Sequence, residues 1–184
     1  TLRNDGTLYY TASTGNAPKV EVKGVEIDGV YAGLTNTTLR FSGAYNDAKY
    51  QEFAFSGLPA ELGNQTMPYR DVSGQALAGA PKYTFNIGAD FRIPVFGRYE
   101  FHSSANWAYS SKFNSDNTLS SYGWIPATSL VDLAIGLGTD DRRYDLSFLA
   151  KNVFDDDTPL ARTWNTFTPA TSRWFGVMLT GRLF

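Results

Sequence analysis

The sequence contains no cysteine, and this absence removes disulfide bonds, thiolate metal sites and thiol nucleophiles from consideration. It also lacks any apolar run near the roughly 18 residues that a membrane-spanning helix requires. Its 16 Lys and Arg are scattered among 18 Asp and Glu, so there is no basic patch for nucleic acid. The first residues, TLRNDGTLYY, have neither a Met nor the pattern of a signal peptide. We therefore exclude thiol chemistry and nucleic-acid partners, and expect a processed form or a piece of a longer protein.

Aromatic residues and glycine are abundant instead. Aromatic side chains make up 15% of the chain and there are 17 glycines, a mixture that suits strands joined by turns. The length of 184 residues fits one domain over 1–184. Because the sequence has no apolar run long enough for a membrane-spanning helix, any membrane role would depend on strands.

Apolar and polar residues alternate along most of the chain, which is typical of strands with two different faces. In KYTFNIGADFRI (82–93), Tyr83 and Phe85 fall on one face and Thr84 and Asn86 on the other. In residues 19–32 the phase switches near Gly24, where we predict a β-bulge. About eight strands and no helix are predicted, the strands at about 7–13 (the weakest), 19–32, 38–45, 82–93, 99–109, 129–138, 144–150 and 173–184.

Short and long connections alternate strictly between these strands. The short ones lie at 33–37, 94–98 and 138–143, and the long ones at about 47–80, 111–126 and 155–172. Antiparallel strands with short turns at one end and long loops at the other are typical of outer-membrane barrels, whose turns are periplasmic and whose loops are extracellular. The fold class we predict is all-β, with antiparallel transmembrane β-barrel strands.

The two faces of the strands favour lipid over a soluble interior. An apolar band about 25 Å tall needs about ten residues of a tilted strand, and Tyr99 to Tyr109 spans that with aromatics at both ends. The opposite face has too many ionisable groups for the packed interior of a small soluble barrel. These groups are Lys82, Asp90, Arg92, Glu100, His102, Asp132, Asp145 and Lys151.

The segment KNVFDDDTP (151–159) closes one predicted strand with an amide and three acids. Three carboxylates suggest Ca²⁺ or Mg²⁺, but consecutive acids point in alternating directions, and the Glu of a calcium-binding loop is missing. A solvated loop start that forms a turn is the simpler interpretation.

The same segment resembles the Asn-Leu-Phe-Asp signature of TonB-dependent receptors, with Asn152, Val153, Phe154 and Asp155 at its positions. Four other stretches are similar to this family in the family's order: KGVEID (23–28), AYNDAKY (44–50), GQALAGAPKYTFNIGADF (74–91) and the terminal SRWFGVMLTGRLF (172–184). The resemblance implies the last strands of a 22-stranded barrel.

The resemblance also makes the final Phe184 the expected barrel-assembly signal. Here Phe175, Val177, Leu179 and Leu183 share the apolar face, which leaves Phe184 out of phase. We therefore expect a bulge near Gly181 or an unusual register.

Function follows from the resemblance as an expectation. It implies import of a scarce ligand, such as a siderophore, vitamin or saccharide, across the bacterial outer membrane. The implied partners are outer-membrane lipid, the remaining N-terminal strands, a plug domain and, through the N-terminal part, the TonB complex. Neither the plug nor the TonB-contacting segment has room in this chain. Two alternatives stay open: a stand-alone eight-stranded outer-membrane barrel with a structural or adhesion role, and a soluble ligand-binding barrel.

Enzymatic chemistry is not expected. His102 is the sole histidine and lies within a strand, there is no Gly-x-Ser-x-Gly elbow, and no cofactor is predicted. Exposed aromatic residues in the long loops are the candidate ligand-binding residues, because such rings stack on sugars, aromatic compounds or siderophores. They are Phe113, Tyr122, Trp124, Trp164 and Phe167.

Overall fold

The alternating segments form one antiparallel sheet. The computed structural model describes residues 19–63 and 69–182. Seven long strands lie side by side in the order β1-β2-β5-β6-β9-β10-β13. Their bounds are β1 Lys19–Leu34, β2 Thr37–Glu52, β5 Tyr83–Val95, β6 Tyr99–Ser110, β9 Thr128–Thr139, β10 Tyr144–Lys151 and β13 Trp174–Gly181.

The three long loops contain small ladders of their own. Loop 1 joins β2 to β5, loop 2 (111–127) joins β6 to β9, and loop 3 (152–173) joins β10 to β13. Each ladder pairs two short antiparallel strands, and two 3₁₀ turns, Ala60–Leu62 and Ser121–Gly123, lie in loops 1 and 2. The short strands are β3 Ser56–Gly57, β4 Tyr69–Arg70, β7 Phe113–Asn114, β8 Trp124–Ile125, β11 Ala161–Arg162 and β12 Phe167–Thr168.

The long loops all leave one end of the sheet, the loop end, and the short turns all leave the other, the turn end. Within the described residues, no helix has the length and hydropathy needed to cross a bilayer. The turn between β1 and β2 contains Asn36 at a φ of 59°, and the turn between β5 and β6 contains Gly97 at 71°. Asn and Gly tolerate this left-handed conformation, so the chain reverses in very few residues.

The apolar face of the sheet is uncovered. Phe148 is 53% exposed, Val177 65% and Leu179 76%, although they pair with other apolar residues in register. Among the described residues, the buried apolar side chains are Ala48, Tyr50, Val72 and Ile125, all at the loop end. A soluble barrel or sandwich would bury its apolar face in a core, whereas this exposed face has the pattern predicted for a lipid-facing band.

The bulge predicted at Gly24 is wrong. The β1–β2 register runs without a shift from Val20 opposite Tyr50 to Tyr31 opposite Leu39. The phase switches instead because the strands extend past the apolar band towards the loop end. Val25 and Ile27 lie on the lipid side of β1. On the N-terminal side of Gly24 the same face carries Lys23 and Glu21, which form an ion pair at 2.9 Å. Charged residues replace apolar ones where lipid ends.

The predicted loop at 47–80 begins too early, since 47–52 belongs to β2. These residues stay extended because both strand edges find partners: β1 on one side and loop 1 on the other. Leu77 N–H donates to Ala48 C=O at 2.9 Å, and Tyr50 N–H donates to Gln75 C=O at 3.0 Å. Tyr50 and Ala48 are consequently buried on the inner side of this extension.

The C-terminal ladder is regular as far as it is described. β10 and β13 pair without a shift from Lys151 opposite Trp174 to Tyr144 opposite Gly181, and Arg182 N–H continues the ladder to Arg143 C=O at 2.8 Å. No bulge occurs at Gly181 in this part of the chain. Phe184 and the weak predicted strand at 7–13 lie outside the described residues.

Candidate functional site: the polar face and the loop layer

Three ion pairs and one histidine–carboxylate hydrogen bond join strands across the polar face of the sheet. Arg40 pairs with Asp90, Arg92 with Glu100 at 2.7 Å, His102 with Asp145 at 2.5 Å, and Lys151 with Asp132 at 2.8 Å. Each pair joins two strands, and one pair reaches over an intervening strand. Because these side chains are partly exposed, each pair adds little stability alone, but together they suit a wet interior.

The His102–Asp145 pair crosses β9 where that strand has glycines. Gly136 lies directly opposite His102, and a Cβ there would stand 2.6 Å from His102 Nε2 and 2.7 Å from Ser147 Oγ. A Cβ at Gly138 would stand 2.9 Å from Asp145 Oδ2. The two glycines therefore leave the space in which the imidazole and the carboxylate meet.

The hydrogen bonds of this group differ from those of a serine nucleophile. Ser147 Oγ donates to Asp145 Oδ1 at 2.6 Å, whereas an activated serine would donate to the imidazole. Asp145 thus accepts from both neighbours and holds them in place. His102 has the satisfied polar environment that its position predicts.

The KNVFDDDTP segment joins the strands to loop 3 through hydrogen bonds of Asn152. Asn152 is 6% exposed, with φ at 49°, and its Nδ2 donates to Asp156 C=O at 2.9 Å and to Thr171 C=O at 3.0 Å. Its N–H donates to Asp132 Oδ1 at 3.0 Å. The prediction of a solvated turn is therefore only partly right, because Asn152 is buried and ties the two ends of loop 3 together.

The three acids of this segment diverge. Asp155 accepts from Arg173 N–H at 2.9 Å, Asp156 accepts from Ser129 N–H at 2.9 Å, and Asp157 is exposed. Burial raises the pKa of Asp156, but hydrogen bonds from Ser129 and Thr158 outweigh it and lower that pKa below its usual range. Over residues 19–63 and 69–182, no three potential ligands gather for a metal ion.

Loops 1 and 2 are clamped together by two charged side chains. Glu61 Oε1 accepts from Ser121 N–H at 2.7 Å and from Ser120 Oγ at 2.9 Å. Arg70 Nη2 donates to the carbonyls of Thr118 at 2.6 Å and Leu119 at 2.9 Å. Burial raises the pKa of Glu61, but its hydrogen bonds, including those from Ser120 and Ser121, lower that pKa overall.

A further contact joins loop 2 to loop 3. Ser115 Oγ donates to Arg162 C=O at 3.0 Å, and Arg162 N–H donates back to Ser115 Oγ at 2.8 Å. Gly79 N–H also connects loop 1 to Asn114 C=O of loop 2 at 2.8 Å. The three loops therefore form one connected layer, which we call the loop layer.

The structure divides the five candidate ligand-binding aromatics into two groups. Phe113 and Trp124 lie on the loop 2 ladder and Tyr122 on its 3₁₀ turn, whereas Trp164 and Phe167 lie on the hairpin of loop 3. Phe113 is half-buried opposite the buried Ile125; the other four are between 46% and 68% exposed. A ligand-binding role for all five stays a prediction.

Sequence reasoning missed the residues that hold the loop layer. Glu61 and Ser121 are 60 positions apart in the sequence, and Arg70 and Leu119 are 49 positions apart. A local sequence pattern therefore cannot predict either contact. Asn152 did carry a signal, because a short amide side chain at a strand end suits a positive φ and a local cap.

Comparison with known proteins identifies the family. Residues 1–153 match the model for "TonB dependent receptor-like, beta-barrel". No match was found among curated protein sequences.

Three solved structures share the fold. They are BauA, the ferric preacinetobactin receptor of Acinetobacter baumannii (16% identity, TM-score 0.63, 87% of this chain and 22% of that one), the siderophore receptor PiuA of A. baumannii (17%, 0.64, 87% and 21%), and FyuA, the ferric yersiniabactin uptake receptor of Yersinia pestis (12%, 0.68, 86% and 23%). The chain thus spans about a fifth of the length of each.

The family fixes the orientation of the sheet. Its barrels lie in the bacterial outer membrane, with long loops outside and short turns in the periplasm. The loop layer is accordingly extracellular, and the polar face lines the barrel interior. This chain belongs to the TonB-dependent receptor-like β-barrel family and forms a portion of an outer-membrane barrel wall.

Proposed function

We propose that this chain supplies part of the barrel wall and of the extracellular loops of a receptor that imports a scarce ligand, such as a siderophore, vitamin or saccharide, with energy delivered through TonB. In this proposal the polar face meets a plug domain, and β1 and β13 pair with other strands of the same barrel. The protein is a transporter and not an enzyme.

The observation that carries the proposal is the division of one sheet into an apolar outer face and an ion-paired inner face beneath a layer of loops. Lipid accepts the first, and a water-filled or plugged interior accepts the second. Within the described residues β1 and β13 are the two edges of an open sheet. Open edges in lipid need partners, which favours a wide barrel over a stand-alone barrel of eight strands.

The choice of ligand is not fixed by the fold. The three solved structures are named as siderophore or ferric-siderophore receptors, but at 12–17% identity they share only the architecture. Their names support testing siderophores first.

Uptake by whole cells tests the proposal. Cells that express the intact receptor would be compared with cells lacking it, using radiolabelled ferric siderophores, cobalamin and maltodextrins. We expect uptake of one of these to require the receptor and to stop when a protonophore removes the inner-membrane potential. Uptake of every compound without dependence on the receptor, or insensitivity to the protonophore, would contradict it.

A further inference from the structure

A cavity of about 360 Å³ lies on the inner side of the wall beneath loop 3. Its walls come from β6, β9, β10 and the start of β13, and its roof from residues 156–160 and 170–171 of loop 3. None of the five aromatic residues predicted as ligand contacts lines it. The cavity is therefore separate from those residues.

Apolar side chains supply most of the accessible surface of the cavity, although eight of its thirteen lining residues are polar or charged. Leu130, Leu160 and Trp174 contribute to it, and they are 38%, 62% and 43% exposed. The indole of Trp174 lies against its own strand, since a Cβ at Gly176 would stand 2.6 Å from Trp174 Cζ3. One large aromatic side chain is thus placed close to the wall and left accessible to water.

The roof of the cavity is held in place before any ligand arrives. Asn152 fastens both sides of loop 3 through Asp156 C=O and Thr171 C=O. Leu160 N–H donates to Thr168 C=O at 2.9 Å, which fixes the backbone that carries the leucine. A preformed cavity in which apolar side chains and hydrogen-bonding groups face one another is a common form of small-molecule site.

The charges around the cavity are already matched. Lys151 Nζ is bound to Asp132 Oδ2 at 2.8 Å, and Asp156 accepts from Ser129 N–H and Thr158 N–H. With two carboxylates and one ammonium group, the cavity has no free positive charge for an anion. Its remaining polar groups are uncharged hydrogen-bonding side chains, among them Asn106 and Thr128.

We propose that this cavity binds a planar aromatic group of about two fused rings that carries hydroxyl groups and no negative charge. An apolar cavity of roughly 150 Å³ takes a single benzene ring, so the observed volume accommodates a substituted bicyclic group. The ring stacks on Trp174 and contacts Leu160, and its hydroxyl groups reach the polar rim. This inference deepens the proposed function by naming a ligand class, but its test requires no transport.

Cysteine protection on the intact receptor provides the test, because this chain contains no cysteine of its own. Thr171→Cys places a thiol in the cavity roof, and Asn165→Cys places one on the exposed hairpin of the same loop. A methanethiosulfonate reagent would label each variant in nanodiscs with and without 2-naphthol, which is uncharged at neutral pH. We expect 2-naphthol to slow the labelling of Thr171→Cys and to leave that of Asn165→Cys unchanged.

Two further substitutions show whether the named residues cause the protection. Trp174→Leu removes the stacking surface and should raise the half-protecting 2-naphthol concentration about tenfold, while Trp107→Leu, on the lipid-facing side of β6, should not change it. Leu160→Ser in the loop leaves the sheet intact and should also weaken protection. All variants would first be shown to fold by their heat-modifiable migration in gels.

Several outcomes would overturn the inference. If Thr171→Cys did not react with the labelling reagent even when 2-naphthol is absent, the cavity would be covered in the intact receptor. Protection by 2-naphthoate as strong as by 2-naphthol would contradict the charge argument, and protection by methyl glucoside alone would indicate a sugar site. The labelling experiment does not depend on transport. Failure of this inference and failure of the proposed transport function would therefore appear in different experiments.

Discussion

His102 Nε2 lies 2.5 Å from Asp145 Oδ2 although the whole of β9 separates their strands. The contact exists because Gly136 and Gly138 have no side chains in the path between them. In a wide sheet, polar groups two strands apart can therefore be joined wherever the middle strand has glycine.

Gly136→Ala should destabilise the barrel, because the new Cβ would collide with the imidazole of His102 and with Ser147 Oγ. Overpacking of this kind costs about 1–3 kcal/mol. Gly181→Ala is the matched control, since a Cβ there meets nothing nearer than 3.8 Å. Urea unfolding of the refolded receptor measures both, and equal stability of the two variants would show that the crossing pair does not depend on the glycine.

Phe148→Arg should cost about 2–4 kcal/mol of barrel stability, because it places a charge in the lipid-facing band. Phe148 pairs with Ile135 and Val177 on the apolar face. Lys151→Arg on the inner face should cost little. A neutral Phe148→Arg together with a stabilising Lys151→Leu, measured in lipid vesicles, would mean that the faces are reversed.

Glu61→Gln should loosen loop 2, because a neutral amide is a weaker acceptor for Ser121 N–H than a carboxylate. Hydrogen exchange of the peptide containing Ser121 should accelerate, whereas Glu52→Gln, at the exposed end of β2, should leave it unchanged. Slow exchange in the Glu61 variant would show that other contacts hold the loop.

The same clamp should respond to acid. The pKa of Glu61 is lowered in the folded protein, so its contribution is complete above the ordinary value of about 4.3 and is lost as the pH falls through the lowered pKa. Exchange at Ser121, corrected for intrinsic rates, should therefore increase only in strong acid, and an increase near neutral pH would contradict this assignment.

Thiol labelling of intact cells should report the orientation of the sheet. A membrane-impermeant maleimide should react with Asn165→Cys in loop 3 and spare Arg98→Cys in the turn between β5 and β6. After the outer membrane is permeabilised, both should react. The opposite order of reactivity would invert the topology.

The strands and their faces could be predicted from the sequence because successive side chains of a strand point to opposite faces, so that the apolar and polar residues alternate with a period of two. The extension of β2 through residues 47–52 could not, because the alternation reverses there, with Asp47 and Lys49 outside and Ala48 and Tyr50 inside. At Gly24 the alternation changes because the environment changes from lipid to water, which a sequence pattern does not distinguish from a bulge. The resemblance to the family supplied the orientation, which the alternation alone does not determine.

The site was less predictable than the fold. The five candidate aromatic residues could be found because the long loops are rich in aromatic side chains. The cavity under loop 3 could not, because it depends on Asn152 folding the loop back over β9 and β10. Alternation places Trp174 on the inner face of the last strand but does not reveal the loop above it.

The contacts that unite the loop layer have an immunological consequence. Arg70, Glu61, Ser115 and Arg162 place segments from three distant parts of the chain in one outward surface. An antibody footprint on the living cell would then be a discontinuous epitope, which a synthetic peptide copied from one loop reproduces poorly. Immunisation with the folded barrel, and not with single-loop peptides, is the route to antibodies that recognise the native surface.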